Sequence, residues 1–111
     1  MTAPSTTFRA CALGDLTEGA ALAVEIDGEP VALVLSGGEV FAIEDRCSHA
    51  DVPLSEGDVE GCFIECWLHG SRFDLRSGEP DSLPATRPVP VFRVEVVGEG
   101  PDADVLVHLE P

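Results

Sequence analysis

The sequence predicts an all-β, largely antiparallel domain of the sandwich or barrel class. Three observations carry this. Apolar residues recur with a period of two, turn residues interrupt them at short intervals, and no apolar stripe of helical period is sustained.

A short opening strand is expected around Phe8 to Ala12. Leu22, Val24 and Ile26 then alternate with Ala23, Glu25 and Asp27, and the run stops at Asp27-Gly28. Val31, Leu33 and Leu35 follow, so the two runs read as a hairpin through an Asp-Gly turn. Ser36-Gly37-Gly38 turns the chain into Val40-Phe41-Ala42-Ile43. Towards the end, Phe92, Val94 and Val96 alternate with Arg93 and Glu95. After the loop Gly98-Glu99-Gly100-Pro101, Val105, Val107 and Leu109 alternate with Leu106, His108 and Glu110. The middle differs. From about Glu44 to Asp74 the strands shorten, and three of the four cysteines and two of the three histidines gather there. The stretch Pro80 to Pro90 holds four prolines and no clear strand, which marks a functional loop in a compact domain.

A chain of 111 residues with 44% hydrophobic content has room for one domain and enough apolar matter for its core. The formal charge of −15 comes from 21 acidic residues against six arginines and no lysine. That balance excludes nucleic acid and anionic membrane surfaces as partners, since both are held by cationic surfaces. It suits docking to a basic protein, because complementary fields speed encounter; an acidic face kept for solubility is the plainer alternative. The first residues lack the basic and apolar regions of a signal peptide, and no stretch reaches the roughly 18 apolar residues of a membrane span. The expected compartment is cytoplasmic. Thiols stay reduced there, so the cysteines point to metal binding or burial rather than to a two-bridge disulfide scaffold.

The chemistry lies in Cys47-Ser48-His49 and Cys66-Trp67-Leu68-His69: C-x-H, sixteen residues, then C-x2-H. Each segment offers one thiolate and one imidazole from a tight turn, so the ligands converge at little ordering cost. Pro53 and Gly70 suit sharp loops at such a site. Two metals use two sulfurs and two nitrogens. One is a tetrahedral structural zinc, although the usual zinc-finger order sets both cysteines before both histidines. The other is a [2Fe–2S] cluster with thiolates on one iron and imidazoles on the other, for which mixed hooks let each loop serve both irons.

Cys47-Ser48-His49-Ala50-Asp51, taken with Cys66-Trp67-Leu68-His69-Gly70-Ser71-Arg72-Phe73-Asp74, resembles the Rieske-type [2Fe–2S] ferredoxins that serve bacterial ring-hydroxylating oxygenases. It is especially similar to the small Rieske proteins found beside iron–sulfur assembly genes in actinobacteria. The similarity spans nearly the whole chain. It implies a single Rieske domain over residues 1–111: an antiparallel β-sandwich base with a small cluster-binding subdomain inserted at about 44–75. It also implies a proline-rich loop at 80–90, whose Leu83-Pro84-Ala85-Thr86-Arg87-Pro88 packs beside the cluster. By that match Cys47 and Cys66 ligate the buried iron, and His49 and His69 the outer one.

Two neutral imidazoles in place of two thiolates leave the oxidised centre formally neutral, which eases addition of an electron. The histidine edges face solvent as the electron's exit, and no substrate pocket is required, so the reading is a carrier rather than an enzyme. High-potential Rieske proteins of respiratory complexes tie their two cluster loops with a disulfide, but Val52 and Leu68 stand at those positions. Ser71 remains able to donate to a cluster sulfur, whereas Phe73 replaces a donating tyrosine. Fewer donors destabilise the reduced state, so a low potential is expected, near the roughly −150 mV end of the Rieske range.

Cys11 and Cys62 read as buried small hydrophobes in strands, and His108 as a surface histidine. Trp67 either shields the cluster or docks a partner, or simply packs. Arg46 and Arg72 flank the hooks without a role that sequence assigns. The leading function is a monomeric ferredoxin passing single electrons from a flavin-dependent ferredoxin reductase to an oxygenase. Alternatives are an accessory Rieske protein of iron–sulfur assembly, the small subunit of a nitrite-reductase-like enzyme, or a structural zinc-binding interaction module.

Overall fold

The computed structural model describes residues 7–47, 52–68, 70–81 and 87–109. Nine strands account for its regular structure: β1 (Thr7–Ala12), β2 (Ala20–Ile26), β3 (Glu29–Ser36), β4 (Glu39–Glu44), β5 (Val59–Glu60), β6 (Phe63–Glu65), β7 (Arg72–Asp74), β8 (Val91–Val97) and β9 (Asp104–His108). Between them lie three single turns of 3-10 helix, and no α-helix occurs among the described residues. No helix there is long and apolar enough to cross a membrane.

Six strands form one sheet in the order β1-β9-β8-β4-β3-β2, and β5-β6-β7 form a second, small one. All neighbouring strands pair antiparallel. The expected hairpin is present: β2 and β3 pair along their whole length from Ala20↔Leu35 to Ile26↔Glu29. Asp27 at φ 51° and Gly28 at φ 82° make its turn, the left-handed pair that a two-residue hairpin demands. The large sheet is nearly divided in two, since β4 and β8 share only Ala42↔Phe92 and Ile43↔Val91. The halves β1-β9-β8 and β4-β3-β2 fold over each other as a sandwich. Its interior holds Cys11, Leu16, Ile26, Val31, Leu33, Ala42, Val105 and Val107.

A second core lies on the other face of β3 and β4. There Ala32, Val34 and Ile43 meet Leu54, Ile64, Phe73, Leu75 and Val89, together with Cys47 and Cys66. This core joins the small sheet to the sandwich. Each of its fully buried large side chains contributes about 1.5–3 kcal/mol relative to exposure. Strand β3 therefore departs from strict alternation. Val31, Ala32, Leu33 and Val34 are all buried, because both faces of this strand are covered.

Cys11 is buried in β1 as expected, and burial, with Asp15 nearby, pushes its thiol pKa up. Cys62 differs: it precedes β6 in a turn and is only part-buried. His108 differs as well. It faces neighbouring strands rather than open solvent, with Nδ1 2.9 Å from the Thr7 hydroxyl and Nε2 3.4 Å from Glu95.

Candidate metal centre

Cys47 follows the end of β4, and its N–H donates to the Val52 carbonyl at 2.9 Å, closing a loop on itself. Cys66 follows β6, and its N–H donates to the Ser71 carbonyl at 2.7 Å, while the Gly70 N–H returns to the Cys66 carbonyl at 2.9 Å. Each cysteine thus stands at the mouth of a short loop whose ends are bonded together. His49 and His69, the expected nitrogen ligands, belong to these loops by sequence but lie outside the described residues, as do Ser48, Ala50 and Asp51.

The two sulfurs enter one apolar core: Cys47 is 3% exposed and Cys66 0%. All four cysteines of the chain are thiols rather than disulfides. Beside the buried Cys66, the next two residues turn outward, with Trp67 52% and Leu68 42% exposed. An arrangement with sulfur inside and Trp67 and Leu68 at the surface suits a centre that is anchored from the core and open on its far side. Thiolates buried in apolar surroundings are costly without a cation, and iron supplies one. The residues present therefore fit a cluster held by two cysteines from within.

Ser71 and Phe73 are both fully buried. Phe73 packs in the core that contains both cysteines and has no hydroxyl to donate. Arg72, without a role in the sequence reading, pairs with Asp81 at 2.7 Å and lies 4.8 Å over the Phe63 ring. It ties the second ligand hairpin to the start of the proline-rich stretch. The Asp81 N–H also donates to the Arg72 carbonyl, and the Asp74 N–H to the Glu79 carbonyl, both at 2.9 Å. At the far end of the stretch, the Val89 N–H donates to the Gly78 carbonyl at 2.8 Å and Val89 enters the cysteine-containing core. Both ends of 80–90 are thus fastened to the hairpin that carries Cys66. Residues 82–86, most of the expected loop Leu83 to Pro88, lie outside the described residues.

Two residues that sequence reasoning missed are Asp45 and Ser55. The Asp45 carboxylate accepts from the Ser55 N–H and the Ser55 hydroxyl, each at 2.7 Å. The acid at Asp45 stands two residues before a cysteine, but no sequence pattern marks it as paired.

The family model for the Rieske [2Fe–2S] domain matches residues 6–93. The chain belongs to the Rieske family. This Rieske domain is 45% identical over 100 residues to the ferredoxin component of biphenyl 2,3-dioxygenase from Rhodococcus jostii (strain RHA1), covering 90% of each chain. Among solved structures it resembles the ferredoxin of carbazole 1,9a-dioxygenase from Nocardioides aromaticivorans IC177. The TM-score there is 0.84 and the identity 38%, over 96% of this chain and 100% of that one. It also matches a chain in a complex of reduced oxygenase and oxidised ferredoxin of carbazole 1,9a-dioxygenase, with a TM-score of 0.82 and 37% identity over 95% and 94% of the two chains. The family's cofactor is a [2Fe–2S] cluster, one per domain.

Proposed function

We propose that this Rieske domain is a single-electron carrier, taking electrons from a flavin-dependent ferredoxin reductase and delivering them to an oxygenase. Cys47 and Cys66 hold one iron from inside, and His49 and His69 hold the other, outer one. The observation that carries the reading is the placement of both sulfurs in one dry core beside the exposed Trp67 and Leu68. When bound, the cluster supplies one reversible electron at low net charge.

The residues of the chain do the rest. The core keeps water from the sulfur side. The two bonded loops hold their cysteines in place, which limits the rearrangement that accompanies a change of charge. The segment at about 44–75 acts as the cluster-binding subdomain, and Asp81 and Val89, near the two ends of the stretch at 80–90, bond to it or pack against it. With Phe73 lacking a donor, the potential belongs at the low end, near roughly −150 mV. The −15 formal charge favours basic faces on both partners and disfavours nucleic acid and membrane. Relatives named as ferredoxin components of dioxygenases, and a ferredoxin solved with its oxygenase, support this role over that of a catalytic subunit. A carrier that meets two partners in turn works as a monomer, and its unpaired Cys11 and Cys62 suit the reducing cytoplasm.

The deciding test is anaerobic purification followed by iron and sulfide analysis, EPR of the reduced protein, and reoxidation by an aromatic-ring oxygenase. Two irons, two labile sulfides, a histidine-ligated signal and turnover of the oxygenase are expected. A colourless protein with one zinc would overturn it.

A further inference from the structure

We propose that Asp45 is a positioning residue for the cluster, and that its buried charge helps set the potential. The inference rests on the ligand assignment above, Cys47 in particular. Asp45 is a carboxylate with 9% exposure in a chain whose other acids mostly face water. Its own N–H donates to the Pro30 carbonyl at 3.0 Å, which pins it to the start of β3 in the sandwich. Its two oxygens accept from the backbone and the hydroxyl of Ser55, in the 3-10 turn Leu54–Glu56. Leu54 of the same turn is fully buried in the core that contains Cys47 and Cys66.

The geometry makes a closed frame. Outward from the Cys47–Val52 bond, Asp45–Ser55 is a further link across the loop. The chain on either side of this segment is therefore joined both through backbone and through a carboxylate. Charge-assisted hydrogen bonds are stronger than neutral ones and hold their geometry. The link fixes where the loop leaves the sandwich and where it returns, before any iron is bound. A negative charge held two residues from Cys47, away from bulk water, also acts on an electron added to the cluster. Screening is weak there, so the oxidised form is favoured and the potential lowered.

Three variants of the full chain separate these effects. Asp45→Asn keeps an oxygen for the Ser55 N–H but removes the charge. It should load a full cluster with an unaltered EPR line shape and move the midpoint positive. Ser55→Ala keeps the charge and loses one of two bonds; it should keep the wild-type midpoint and lose the cluster several-fold faster on incubation with a chelator. Asp45→Ala should lose the cluster faster still, or bind less than one per chain. Asp102→Asn, in the exposed turn before β9, is the control and should change neither readout. An Asp45→Asn midpoint that stays put or moves negative overturns the proposal, and so does an Asp45→Ala protein that keeps its cluster as long as the wild type. Absence of a cluster from the wild type would instead refute the carrier reading, so the two failures are distinguishable.

Discussion

Leu33 and Val34 are neighbours in β3, both at 0% exposure, yet they belong to different cores. Leu33 points into the sandwich with Val105 and Val107, and Val34 into the core that carries Cys47 and Cys66. Leu33→Ala should therefore cost about 2–5 kcal/mol of global stability in urea unfolding. Val34→Ala should cost less, about 2 kcal/mol, and should shorten cluster lifetime more than Leu33→Ala does. Equal effects of the two variants on cluster loss would contradict the division of the cores.

Gly78 should tolerate no side chain. Its φ of +79° is left-handed, and a Cβ built there would run into the Val89 carbonyl oxygen. Gly78→Ala is expected to destabilise by about 1–3 kcal/mol from backbone strain alone. It should also free the Val89 end of the proline-rich stretch. Hydrogen exchange at the Val89 amide, bonded to Gly78 in the native protein, is the measurement, and exchange should accelerate.

The Asp74 carboxyl should titrate below the ordinary carboxylate range. The Arg76 side chain, then the Arg76 backbone N–H at 2.8 Å, favour its charged form. A depressed acid contributes stability that is complete above its unfolded pKa of about 3.9 and is lost as pH falls through the lower folded value. Asp74→Asn should therefore flatten the acid limb of the stability curve below about pH 4, being modestly less stable than the wild type at neutral pH and converging with it in acid. Carboxyl-carbon NMR titration reads the folded value directly, and a midpoint at or above the usual range would refute the contact.

His69→Cys tests the ligand assignment. Replacing a neutral imidazole by a thiolate adds negative charge at the outer iron, so the variant should either lose its cluster or show a lower midpoint. An unchanged spectrum and potential would show that His69 is not a ligand. Cys66→Ser should cost the cluster altogether, read as loss of visible absorbance, because Cys66 is the more deeply buried of the two sulfurs.

Much of the fold was legible from local pattern. The β2–β3 hairpin follows from alternation and from Asp27-Gly28, since few residue pairs accept the left-handed turn that a two-residue hairpin demands. Strands β8 and β9 follow from alternation on either side of a Gly-Pro loop. Less legible was Val31-Ala32-Leu33-Val34, because period-two reasoning assumes one wet face and here both are covered. His108 misled for a related reason. Its position on the polar phase of β9 is correct, but Thr7 comes from β1 at the other end of the sequence, and Glu95 reaches it only because β8 pairs beside β9.

By itself, the order of residues determined the strand-rich fold and the two mixed hooks, because turn chemistry and ligand spacing act over a few neighbouring positions. Tertiary structure alone decided that Cys47 and Cys66 share one core, that Arg72 meets Asp81, and that Asp45 is bonded to Ser55. Those contacts depend on which strand packs against which face. A hydrogen bond or a buried neighbour across a folded chain leaves no periodic mark on the segments it joins.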